Sequence, residues 1–144
     1  MSEKYICVDS NFVVRLVSNS SETSIYLRLW DEWEEQKYTI VAPTLLCYEI
    51  TNVFHRMTIA GQILEAEAKT LLGNALELSI RYYADHYLHH QAIEIARQFN
   101  LSATYDAHYL ALAQRFNADF YTGDKRLFNT IKSVIDWVYL GSAE

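Results

Sequence analysis

The sequence predicts an α/β fold, a mostly parallel sheet covered on both faces by helices. Three observations carry this expectation. Short apolar runs alternate with longer stretches of helical periodicity, the βα pattern that generates parallel strands. Only 4 Gly and 1 Pro occur among the 144 residues, too few for a turn-dense β-sandwich. Hydrophobic residues make up 51% and charged residues 21%, a globular composition at a length that suits one core. A single domain over 1–144 is expected.

The elements follow in order. Tyr5-Ile6-Cys7-Val8 is a continuous apolar run ending at Asp9, as in a strand buried on both faces. Ser10 and Asn11 are capping types before Phe12–Val17, which reads as a short helix or an apolar turn. Asn19–Ser24 is a polar loop with several candidate caps. Ile25, Leu29 and Trp33 at i, i+4, i+8 predict a helix over Ser24–Gln36. Tyr38–Ala42 is a second strand, stopped by Pro43, which suits the start of the next helix. Leu46, Ile50, Val53 and Met57 define one face of a helix from Thr44 to Ala60, ended by Gly61. Another helix spans Leu64–Leu78, and Ile80–Tyr83 is a short strand. Asp85–Phe99 is helical, with Asn100 suited to the left-handed C-terminal position. Ser102 or Thr104 caps a helix reaching Phe116. A strand at Asp119–Thr122, a short helix at Lys125–Lys132 and a strand at Trp137–Leu140 complete the chain.

Charge and composition exclude several classes. The net charge of −6 argues against a generic basic nucleic-acid binder. Cys7 and Cys47 lie inside apolar runs and read as small core residues of a reducing compartment. The N-terminus lacks the pattern of a signal peptide, and no apolar run is long enough to span a membrane. A cytoplasmic location is expected. There is no Gly-rich phosphate loop.

The informative feature is where four carboxylates fall. Asp9 and Asp124 each follow a strand and precede a helix, at the sheet edge where open α/β folds bind ligands. Either one also suits a helix N-cap. Glu49 sits beside the centre of an apolar stripe, between Leu46, Ile50 and Val53. A carboxylate there needs an Arg partner, a route to solvent or a metal. Asp106 lies in the first turn of its helix, where the dipole favours an acid, but again on the apolar face. Converging at one end of the sheet, four such acids would repel one another unless a divalent cation joined them. Oxygen-only ligands suit Mg²⁺ or Mn²⁺ rather than zinc. That site is suited to phosphodiester hydrolysis, in which a water is activated and the phosphoryl group polarised. Asn11 and Thr122 lie two positions from Asp9 and Asp124, placed to support a carboxylate or a bound water.

At these residues the sequence resembles the PIN-domain ribonucleases, and among them the VapC-type toxins. The matching segments are Ile6–Asn11, Tyr48–Val53, Leu101–Ala113 and Tyr121–Leu127, in the family's order and across essentially the whole chain. The resemblance implies a three-layer α/β/α fold and Mg²⁺- or Mn²⁺-dependent RNA cleavage. It places Asp9, Glu49, Asp106 and Asp124 at the family's acidic positions and Thr122 at a hydroxyl position beside the last acid. It also implies a homodimer and an inhibitory antitoxin protein whose tail enters the groove. Asn100 stands where a Gly is common before the third motif.

Arg15, Arg56, Lys125 and Arg126 lie near the acidic motifs and can hold phosphates or serve as ordinary solvated charge. His86 and His90 are at i, i+4 with His89 between them, a spacing that can bind zinc; with no third ligand evident, a solvated polar face is the expectation. Tyr82, Tyr83, Tyr87, Tyr105 and Tyr109 can stack on unpaired bases, or serve the core and an interface. An alternative function is a non-catalytic module holding a basic partner peptide in the acidic groove. The net charge need not exclude RNA. Two divalent ions, carrying +4 between them, would bring −6 to −2.

Overall fold

The computed structural model describes residues 3–18 and 24–141. The polar loop expected at 19–23 lies outside the described residues. Five strands form one sheet: β1 (Tyr5–Val8), β2 (Thr39–Pro43), β3 (Arg81–Tyr83), β4 (Asp119–Thr122) and β5 (Val138–Leu140). Their order is β3-β2-β1-β4-β5, and every pairing is parallel. The sheet is thus wholly parallel where the sequence implied mostly. As the central strand, β1 pairs on both sides, and Ile6, Cys7 and Val8 are buried. This is why its run is apolar without alternation.

Seven helices fill the connections: α1 (Ser10–Ser18), α2 (Ile25–Glu35), α3 (Leu45–Ile59), α4 (Glu65–Leu76), α5 (His86–Gln98), α6 (Tyr105–Arg115) and α7 (Lys125–Ile131). Helices α1 to α4 pack as one group, and α5 packs on α6, which lies against β1, β2 and β4. The result is an α/β/α sandwich. Phe12, Leu46, Ile50 and Phe54 fill one part of the core, and Tyr109, Leu110, Leu112 and Phe120 another.

Three local expectations change. The segment after Asp9 is a helix throughout Ser10–Ser18, and its first turn is capped by Asp9 rather than by Ser10 or Asn11. Pro43 is the last residue of β2 rather than a stop before it; at the strand's end the absent N–H breaks no ladder. Thr44 supplies the next bond instead, its N–H donating to the Tyr83 carbonyl at 3.1 Å. Thr104 precedes α6 with helical backbone angles and no side-chain cap, so neither Ser102 nor Thr104 acts as one. Asn100, by contrast, has φ of 55°, the left-handed geometry expected of it.

Candidate active site

The chain reverses its direction of travel across the sheet between β1 and β4. In open α/β sheets the crevice at such a switch point, outside the strand C-termini, is where ligands bind. Asp9 follows β1 there and Asp124 follows β4 by two residues.

Asp9 is 3% exposed. Its Oδ1 accepts the N–H of Phe12 at 2.8 Å and that of Gly123 at 3.2 Å. Its Oδ2 accepts the Thr122 hydroxyl. No cation pairs with it among the described residues. Burial pushes its carboxyl up to about 7 against the pull of these hydrogen bonds, and repulsion from Asp106 adds to the rise.

Thr122 ties the two strand ends together. While its hydroxyl donates to Asp9, its Oγ1 accepts the Asp124 N–H at 2.9 Å. Gly123 lets the two turns touch. A Cβ there would lie 2.7 Å from the Asn11 carbonyl carbon, closer than a side chain can come to backbone. Asn11 itself is exposed, and its side chain makes no hydrogen bond among the described residues. Asp124 caps α7, its Oδ1 accepting from the N–H groups of Arg126 at 2.9 Å and Leu127 at 3.2 Å. Both strand-end acids are therefore caps, and capping leaves lone pairs on each carboxylate for a further partner.

Glu49 projects from α3 toward α6, where its Oε1 accepts the Tyr109 hydroxyl at 2.5 Å. No Arg pairs with it among the described residues. Tyr109 is 1% exposed, and its phenol is pushed well up by burial and by the charge of Glu49. The sequence placed Tyr109 only among residues for stacking or core packing; three positions past Asp106, it shares that residue's face of α6. Asp106 is half-buried and accepts no hydrogen bond among the described residues. Burial first, then the charges of Asp124 and Glu49, raise it to about 6.

These mutual effects show that the four acids share one electrostatic environment. No three His, Cys, Asp or Glu side chains among the described residues are grouped tightly enough to hold an ion as they stand. The chemistry of the donors nevertheless fits a hard divalent cation. All are carboxylates, burial raises Asp9 and Asp106 with no cation paired to either among the described residues, and Asp106 accepts no hydrogen bond there.

Asp106, Asp124 and Arg126 line one cleft of about 340 Å³ with Ser102 and Thr130. A larger hollow of about 430 Å³ lies between Ile25, Leu29, Phe128 and Tyr139, with no ionisable acid in its wall. Arg15, Arg56 and Lys125 are exposed and form no ion pair among the described residues. Arg56 lies seven residues past Glu49, about 10 Å along α3, so only Arg126 of the four lines the acidic cleft. Of the tyrosines, Tyr48 and Tyr105, each preceding an acid, are 74% and 63% exposed, whereas Tyr82 and Tyr83 are partly buried against the core.

The model of a family described as PIN domain matches residues 6–133. A search of curated protein sequences gives no match. Among solved structures, PAE2754 from Pyrobaculum aerophilum is similar, with 22% identity and a TM-score of 0.68 over 98% of this chain and 92% of that one. A toxin–antitoxin complex from Klebsiella pneumoniae contains a chain 15% identical, with a TM-score of 0.63 over 94% and 97%. VapBC2 from Rickettsia felis, bound to a DNA fragment from its promoter, contains one 13% identical, with a TM-score of 0.68 over 94% and 96%. At these identities the structural likeness concerns the fold. No helix among the described residues is long and apolar enough to cross a membrane.

Proposed function

The chain belongs to the PIN-domain family, a family of nucleases, and from that premise we propose that it is a Mg²⁺- or Mn²⁺-dependent endoribonuclease and the toxin of a toxin–antitoxin pair. The observation that carries the reading is Asp9. A buried carboxylate that no cation compensates is costly unless a ligand supplies the charge. Asp106 repeats the pattern at the same place.

Asp9, Glu49, Asp106 and Asp124 would hold the ion. When bound, it neutralises the carboxylates, polarises a phosphoryl oxygen and makes a water acidic enough to attack near neutral pH. The remaining work belongs to the chain. Phe12, Thr122 and Gly123 fix both oxygens of Asp9, and the Tyr109 hydroxyl fixes Glu49. Such preorganisation keeps the donors in place while the charge on the phosphate grows. Asp106, with oxygens unclaimed by the protein, is placed to accept the proton of the attacking water at a carboxylate oxygen. Arg126, in the wall of the same cleft, holds a phosphate oxygen of the substrate. Tyr48 and Tyr105 offer exposed rings beside two of the acids, suited to stacking on unpaired bases.

Solved neighbours of the fold in toxin–antitoxin complexes support an antitoxin as partner. We assign the nuclease domain to residues 1–144, in a homodimer in the cytoplasm.

The test is Asp106→Asn. Cleavage of single-stranded RNA in Mn²⁺ should be abolished while the far-UV and near-UV spectra keep their native form. Cleavage at the wild-type rate sinks the assignment. Mn²⁺ should also raise the melting temperature of the wild type. Without that response, the acidic cleft is better explained as a seat for a basic peptide.

A further inference from the structure

We infer that His89 and His108 form a second metal site, for a borderline transition-metal ion such as Zn²⁺ or Ni²⁺, apart from the acidic pocket. Neither residue has a part in the proposed nuclease chemistry. In the sequence the i, i+4 pair along α5 is His86 and His90. The structure instead brings His89 of α5 to His108 of α6.

The Nδ1 of His89 lies 2.9 Å from the Nε2 of His108, with the rings edge to face. The Nδ1 of His108 lies 2.6 Å from the Thr104 carbonyl oxygen. A carbonyl only accepts, so this Nδ1 carries the proton, and in the neutral ring Nε2 carries the lone pair. A backbone carbonyl on the far nitrogen is the arrangement that orients a metal-binding imidazole. The proton between the rings then belongs to Nδ1 of His89. Moving it to Nε2 of His89 gives the other neutral tautomer. Two lone pairs then face one another, and the pair has lost no proton.

An ion between them takes one lone pair from each ring. Two nitrogens bound to tetrahedral zinc stand about 3.3 Å apart. The rings must open by a few tenths of an ångström, which the exposed side chain of His89 allows. Imidazole suits zinc, nickel and copper and is a poor ligand for Mg²⁺, so Mg²⁺ does not compete for the histidine pair. Water completes the coordination. Asp85, the nearby carboxylate at the start of the same helix, is already held by Arg115 through bonds of 2.8 and 3.0 Å. The bound ion ties α5 to α6, the helix that carries Asp106 and Tyr109.

The full chain is titrated with Ni²⁺ and separately Zn²⁺, with excess Mg²⁺ present to occupy the acidic pocket. The wild-type melting temperature should rise with either ion. His89→Gln should melt with the wild type when both ions are absent, and should show no rise when they are added. His86→Gln should keep the rise. Paramagnetic Ni²⁺ should broaden the imidazole NMR signals of His89 and His108. An equal rise in His89→Gln, no wild-type rise at millimolar ion, or broadening confined to His86 and His90 overturns the site.

Discussion

Asp9→Asn tests the electrostatics of the pocket independently of any nuclease assay. In the unfolded chain the carboxyl titrates near 3.8; in the folded, metal-free protein burial holds it at about 7. Below pH 4 both states carry the proton and its burial costs nothing extra. Between about pH 4 and 7 the unfolded chain ionises while the folded one keeps its proton, so stability falls as the pH rises. Above about 7 the loss is complete. The gap between the two values, at about 1.4 kcal/mol per pH unit, amounts to about 4 kcal/mol.

Asparagine removes that cost. Its carbonyl still accepts from Phe12 and Gly123, but its NH₂ group faces Thr122, whose hydroxyl donated to the carboxylate. The disturbed contact offsets about 1–2 kcal/mol of the gain. At pH 8 in EDTA the variant should be more stable than the wild type by about 2–3 kcal/mol, or about 5–10 °C in melting temperature. At pH 4.5 the order should reverse. Adding Mn²⁺ at pH 8 should restore the wild type and leave the variant unmoved. Thermal melts at pH 4.5, 6 and 8, with EDTA and with Mn²⁺, give all these numbers. If the difference between variant and wild type does not change across this range, the Asp9 carboxyl is not raised by burial.

Four further outcomes are expected. Tyr109→Phe should fold normally yet cut RNA about 10-fold more slowly at saturating substrate, because Glu49 loses the donor that orients it; an unchanged rate would make that bond incidental. Tyr48→Ala and Tyr105→Ala should each weaken single-stranded RNA binding about 10-fold, the worth of one stacked base. Neither should alter hydrolysis of a small phosphodiester. Asp124→Asn keeps the α7 cap and should cost little stability, whereas Asp124→Ala should lose about 1 kcal/mol in a denaturant titration; both should abolish cleavage. Gly123→Ala should lower the midpoint of urea unfolding, since its Cβ must displace the Asn11 backbone.

The inner strands β1 and β2 were legible as nearly continuous apolar runs buried on both faces, whereas β3, with its exposed Arg81, was marked only by Tyr82 and Tyr83. The helices were legible because their apolar residues recur at helical spacing. Asn100 was read correctly since few residues tolerate positive φ. Thr104 was not, because capping depends on backbone angles that residue identity alone does not set. Asp9 and Asp124 could not be decided between cap and pocket from the sequence, and the structure explains why: each is a cap at the pocket's edge. The link from Tyr109 to Glu49 and the approach of His89 to His108 were hidden for a different reason. They depend on how one helix rotates against another, and periodicity gives a face only to within a residue or two.

The pairing of β1 with β4 joins segments more than a hundred positions apart in the chain. Contacts of such long sequence separation form late, because a large loop must close before they give any return. During synthesis β1 leaves the ribosome early, and Thr122 and Gly123 must still emerge before they can grip Asp9. A growing chain that ends before β4 therefore carries three of the acids and none of the clasp. The pocket takes this form only once β4 and the turn after it have emerged and paired with β1.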